Sequence, residues 1–175
     1  MRVKIPLYRK LSAFPPGGFL QATEDGEAAL VACVREAVEG GRAAADLFAG
    51  LGTFALVLRA AYAAEASRDA AASLKRAAPP IAVEHRDLYR RPLDSAELAR
   101  FDAVVLDPPR AGAAEQVRAL AGSTVARIAY VSCNPATFAR DAKTLTDGGY
   151  ALKWVRPVGQ FRWSTHVELA ACFGR

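Results

Sequence analysis

Asp46-Leu47-Phe48-Ala49-Gly50-Leu51-Gly52-Thr53-Phe54 decides the fold. Apolar residues lead up to it from Ala43 and follow it to Leu58. The pattern is strand, tight glycine turn, helix. Gly50 and Gly52 let the backbone turn sharply and approach a ligand with no side chain in the way. Two readings fit the glycines alone: a plain strand-to-helix turn, and a loose G-x-G-x-x-G/A cofactor turn, which is a weak signal by itself. Asp46 separates the cofactors. A dinucleotide fold aims this turn at a pyrophosphate, and a carboxylate at the strand end would repel it. The acid suits a ligand that carries an amino group beside a sulfonium. That favours S-adenosylmethionine over NAD.

The rest of the chain extends the same pattern. Strands are predicted at Ala43 to Phe48, Ala60 to Ala64, Ile81 to Glu84, Asp102 to Asp107 and Arg127 to Ser132, with two more at Ala151 to Pro157 and His166 to Phe173. Helices are predicted from Glu24 to Glu39, from near Thr53, from Ser67 to Ala78, within Pro92 to Arg100, from Ala113 to Leu120 and from Pro135 to Leu145. Alternation up to the fifth strand predicts a parallel doubly wound sheet, and the final pair predicts an antiparallel hairpin at one edge. Residues 1–18 read as a basic arm or short edge strand, and residues 19–175 as one catalytic domain.

Composition sets bounds. The chain has 175 residues, enough for one well-cored domain. Lys and Arg number 23 against 18 Asp and Glu. The excess of 5 tolerates a polyanionic partner without demonstrating one. Cys33, Cys133 and Cys172 are scattered, which argues against a disulfide framework, a metal site or an iron–sulfur cluster. Leu47 to Leu58 is too short to span a membrane, and no leader opens the chain, so a cytoplasmic protein is expected.

The polar residues fall at one edge of the expected sheet. Asp46, Glu65, Asp87, Asp107, Cys133 and Glu168 lie at or near the ends of successive strands, where open α/β sheets bind ligands. Glu65 can accept from ribose hydroxyls, or serve as a solvated loop acid. Asp87 can accept from an adenine amino group, or serve as a plain loop acid. Asp107-Pro108-Pro109-Arg110 fixes a rigid loop, a wall for a flat base or a strand terminator. In Ser132-Cys133-Asn134-Pro135 the thiol precedes a helix start, so its thiolate is expected to be favoured. Glu168 precedes apolar residues; it reads as a partly buried proton acceptor or an ion-paired strand acid. His85 and His166 read as structural, and Cys33 as a buried thiol.

Asp-Leu-Phe-Ala-Gly-Leu-Gly-Thr-Phe, Leu-Asp-Pro-Pro-Arg-Ala-Gly, Val-Ser-Cys-Asn-Pro-Ala-Thr-Phe-Ala-Arg-Asp and His-Val-Glu occur in that order. From Phe19 onward the chain resembles the catalytic domain of the RNA uracil-5 methyltransferases. The resemblance implies a Rossmann-like class I fold, a seven-stranded, mostly parallel sheet with a C-terminal antiparallel hairpin. It implies methyl transfer from S-adenosylmethionine to C5 of a uridine in tRNA or rRNA, with Cys133 adding to C6 and Glu168 removing the C5 proton. It further implies that Gln21, Phe48, Thr53, Glu65, Asp87 and Asp107 line the cofactor, beside Asp46, Gly50 and Gly52. Pro108, Arg110, Arg140 and Arg162 are the candidates for substrate contact. The sequence departs from the family at three points. It has no counterpart of the N-terminal RNA-binding β-barrel and no cluster cysteines. It has Gly159-Gln160-Phe161-Arg162 where Asp-x-Phe-Pro is usual. Methylation of another base or a small molecule, and a cofactor-binding module without catalysis, are the alternatives.

Overall fold

A computed structural model describes residues 23–159 and 167–175. Met1 to Ala22 and Gln160 to His166 lie outside them, so the N-terminal arm, Gln21, Arg162 and His166 are not placed. The order is α1 (Glu24–Ala37), β1 (Ala44–Leu47), α2 (Thr53–Leu58), β2 (Tyr62–Glu65), α3 (Arg68–Ala77), β3 (Ala82–His85), α4 (Ser95–Leu98), β4 (Ala103–Leu106), α5 (Ala114–Ala121), β5 (Arg127–Ser132), α6 (Pro135–Asp147), β6 (Ala151–Gly159) and β7 (Val167–Gly174).

The seven strands form one sheet in the order β3-β2-β1-β4-β5-β7-β6. β3, β2, β1, β4 and β5 run parallel. β7 is antiparallel to both β5 and β6, so the last strand inserts and β6 takes the edge. The order reverses between β1 and β4, the place where a doubly wound sheet opens a crevice at its carboxyl ends.

Period-two alternation explains the burial. On one face Leu47, Val104, Leu106, Ile128 and Tyr130 pack with Leu98 of α4, Val117 and Leu120 of α5, and Phe138 and Leu145 of α6. On the other, Ala103, Val105, Ala129 and Val131 meet Leu30, Val31, Val34 and Ala37 of α1. β4 is apolar at every position because both of its faces are covered.

Capping follows the sequence cues. Thr23 accepts from Gly26 N at 3.1 Å, and Ser67 from Ala70 N at 3.3 Å. Asn134 accepts from Ala136 N at 3.1 Å, with Pro135 in the first turn of α6. The last helix runs on to Asp147, one residue short of the Gly148-Gly149 pair. No helix among the described residues is long and apolar enough to cross a membrane.

Candidate active site

The carboxyl edge of the sheet gathers the polar residues. Asp46 is not the terminal residue of β1. It sits one position inside the strand and is fully buried. Its Oδ2 accepts from Ala55 N at 2.7 Å, satisfying an amide in the first turn of α2. Its Oδ1 has no protein partner. Burial pushes its pKa up to about 8, opposed by the Ala55 bond and reinforced by Asp107 and Glu65.

The loop after β1 is held in an unusual shape. Phe48 has φ 65, and Gly50 and Gly52 have φ 55 and 90. A left-handed phenylalanine is strained, and such strain clusters at ligand clamps. The two glycines differ in purpose. A Cβ on Gly52 would meet Leu74 Cδ1 at 2.3 Å, so Gly52 allows α2 to pack closely on α3. A Cβ on Gly50 would meet nothing within 4 Å, so Gly50 faces open space. Thr53, at the start of α2, is half-buried.

Glu65 closes β2. Its Oε2 accepts from Gly50 N at 2.8 Å and its Oε1 from Ser67 N at 2.6 Å. Each oxygen keeps a second lone pair for a further donor. Glu65 therefore braces the glycine turn besides offering acceptor capacity, a duty not read from the sequence. Asp87 accepts from Tyr89 N at 2.9 Å and pairs with Arg90 at 3.5 Å at the surface. His85 contacts Ala66 O at 2.9 Å through Nε2, consistent with a structural role.

Cys133 and Glu168 come together through strand pairing. In the antiparallel β5–β7 ladder Ser132 is opposite Leu169. The next step of that register sets Cys133 against Glu168. Both are half-buried, open to solvent rather than sealed in the core. Asp107, one residue past β4, is also half-buried; burial and then Glu168 push its pKa up to about 7.

The thiol corrects one expectation. A helix start was expected to favour thiolate at Cys133. Its pKa instead lies above the ordinary thiol value, because burial and the charge of Glu168 outweigh Arg110 and a backbone N–H, and Asp107 adds to the rise. The local dipole was legible, and so was Glu168 as a partner in the same site; the effect of its charge on the thiol was not.

The wall beside the thiol is fastened to α6. Arg110 O accepts from Asn134 Nδ2 at 2.9 Å and Thr137 Oγ1 at 3.1 Å. Asp141 is buried; its Oδ2 accepts from Ala113 N and from Tyr130 Oη, both at 2.6 Å. Arg140 pairs with Asp141 at 2.8 Å and donates to Ala111 O at 3.0 Å. Its guanidinium thus takes part in this clamp while its side chain, like that of Arg110, stays exposed. Pro108 is buried and Pro109 exposed. Asn134, Thr137 and Asp141 were not singled out in the sequence, yet their spacing of three and four is a polar stripe on one helix face.

Among the described residues no cluster of three or more His, Cys, Asp or Glu is placed to hold a metal ion.

The sequence pattern of the tRNA (Uracil-5-)-methyltransferase family matches residues 80–174, more than half the chain. An uncharacterized RNA methyltransferase of Zymomonas mobilis is 55% identical over 179 residues, covering 98% of this chain and 45% of the relative. The 23S rRNA (uracil(1939)-C(5))-methyltransferase RlmD of Pseudomonas fluorescens is 41% identical, covering 92% of this chain and 38% of that protein. The chain thus spans less than half the length of these curated relatives. The crystal structure of Pyrococcus abyssi tRNA (uracil-54, C5)-methyltransferase with S-adenosyl-L-homocysteine superposes with a TM-score of 0.76 at 31% identity, covering 90% of this chain and 40% of that one. The architecture is the class I methyltransferase fold, and the chain belongs to the tRNA (Uracil-5-)-methyltransferase family.

Proposed function

We propose that this domain transfers a methyl group from S-adenosylmethionine to C5 of a uridine in RNA. The observation that carries the reading is the approach of Glu168 to Cys133, one step beyond the Ser132–Leu169 pair that ends the β5–β7 ladder, with the charges of Glu168, Arg110 and Asp107 all acting on the thiol. Family membership and the RNA named for the relatives support the substrate class.

The cofactor fits the edge by two observations. Asp46 Oδ1 is a buried acceptor without a partner, suited to a cationic ligand. Gly50 leaves open space above a strained loop. Asp46, Phe48, Gly50, Gly52, Thr53, Glu65, Asp87 and Asp107 are the residues that would hold it, with Gln21 a further candidate. When bound, S-adenosylmethionine supplies the methyl group as an electrophile on sulfur.

The chain supplies the rest. Cys133 attacks C6 as thiolate, forming a carbon–sulfur bond while the C5=C6 electrons move toward C5 and O4. C5 is then a nucleophile and takes the methyl group. Glu168 removes the C5 proton; the electrons restore C5=C6 and expel Cys133. Arg110 favours the thiolate and stands ready for a phosphate; Arg162 is a second candidate, and Arg140 holds the wall. The uridine has to leave its stack to reach this edge.

RNA carrying 5-fluorouridine tests the reading, because fluorine at C5 cannot leave as a proton and the adduct persists. Wild type incubated with S-adenosylmethionine should give a covalent adduct at Cys133. Glu168→Gln should still form one with ordinary RNA, since it blocks only the later step. Methylation that survives Cys133→Ala would overturn the proposal.

A further inference from the structure

Tyr89 has no part in the chemistry above, yet it is one of the few large apolar side chains exposed among the described residues, 40% accessible. Two contacts hold it. Its ring lies 5.6 Å from that of Phe48 at 57°. Its hydroxyl donates to Gly112 O at 3.0 Å. Phe48 belongs to the strained turn after β1, and Gly112 ends the Asp107–Gly112 wall. These are the two halves of the site, and they come from different crossovers of the sheet.

The base of Tyr89 is rigid. Its own N–H donates to Asp87 Oδ1. The loop that carries it is anchored by buried Arg86, which donates to Glu97 at 2.6 and 2.8 Å and to the carbonyls of Arg91 and Pro92 at 2.7 Å. A tyrosine planted on such a loop acts as a strut, because its ring contacts one segment and its hydroxyl the other.

We propose that Tyr89 is a positioning residue: it ties the cofactor-side turn at Phe48 to the base-side wall at Gly112, fixing the distance between methyl donor and base. This rests on Phe48 and Asp107 lining the site as proposed above. The two contacts are separable. The hydroxyl sets the wall, and the ring sets Phe48.

Tyr89→Phe and Tyr89→Ala in the full chain test it by hydrogen–deuterium exchange and by calorimetry with S-adenosylhomocysteine. Tyr89→Phe should speed exchange in the peptide 107–113 about fivefold, the loss of one neutral hydrogen bond. It should leave S-adenosylhomocysteine affinity unchanged. Tyr89→Ala should speed the same exchange and also weaken S-adenosylhomocysteine by up to about tenfold, through loss of the ring pair. Exchange in the β5 peptide 127–132 should stay at the wild-type rate in both. Wild-type exchange at 107–113 in Tyr89→Phe overturns the proposal. So does faster exchange that spreads equally to 127–132, which would mark a general loss of stability. Neither measurement uses RNA, so failure of the uridine reading leaves this result standing, and the reverse also holds.

Discussion

At the scale of single residues, Cys133 is the instructive case. A cysteine ahead of Pro135 reads locally as an activated thiol, because helix amides favour an anion. The fold adds Glu168, one ladder step away, and its charge acts the other way. The resting thiol is therefore protonated more firmly than an ordinary one, and Arg110 is the side chain that counters this. Alkylation with iodoacetamide, followed by peptide mapping to separate Cys133 from Cys33 and Cys172, reports the thiolate directly. Its rate against pH should turn over above the ordinary thiol range. Glu168→Gln should move the profile to lower pH, since it removes the second-largest cause of the rise. Arg110→Ala should move it higher. A profile that ignores both substitutions would mean that burial alone sets the thiol.

At the scale of elements, the wall after β4 and helix α6 form a single unit. Gly112 shows how tightly they meet. Its φ is 77, and a Cβ there would lie 2.6 Å from Arg140 Nη2 and from Asp141 Oδ2, and 3.0 Å from Thr137 Cβ. Gly149 has the same backbone hand, φ 92, but open space around it. Comparing Gly112→Ala with Gly149→Ala therefore isolates packing from backbone strain. Both should lose the ~1 kcal/mol expected for alanine at positive φ. Gly112→Ala should lose at least about 1 kcal/mol more in urea unfolding, because Asp141 is buried and cannot step aside. Equal losses would show that the loop floats free of α6. Much of this scale was legible in advance. The fifth strand was read at its true bounds, Arg127 to Ser132, because a run buried on both faces leaves no polar interruption. The third was read one residue early, at Ile81 to Glu84 rather than Ala82–His85, because an exposed edge strand carries little apolar signal. The clamp of Asn134, Thr137, Arg140 and Asp141 was not legible, since its bonds end on backbone carbonyls and amides of another loop.

At the scale of the whole molecule, the sheet disfavours ionised carboxyls at its carboxyl edge. Asp46 has its pKa pushed up to about 8 and Asp107 to about 7, both chiefly by burial. In the unfolded chain both fall near 4. Between about pH 4 and 8 the folded protein thus holds protons that the unfolded chain releases. Linkage then makes this contribution to stability complete below about pH 4 and lost as pH rises through 7 and 8, by up to about 1.4 kcal/mol per pH unit for one proton. Asp46→Asn keeps the shape and an acceptor for Ala55 N but cannot ionise. Urea unfolding of the ligand-free protein should therefore find the variant and wild type separated little at about pH 5 and widely at about pH 8, with the variant the more stable. Asp107 contributes to the slope that remains in the variant, and Asp107→Asn should reduce it. A cationic ligand at this edge favours the ionised carboxylates, so saturating S-adenosylmethionine should flatten the wild-type slope, and S-adenosylhomocysteine, which lacks the sulfonium charge, should flatten it less. Parallel curves for Asp46→Asn and wild type would mean that Asp46 is ionised when folded, and that the orphaned Oδ1 finds its partner in water rather than in a ligand.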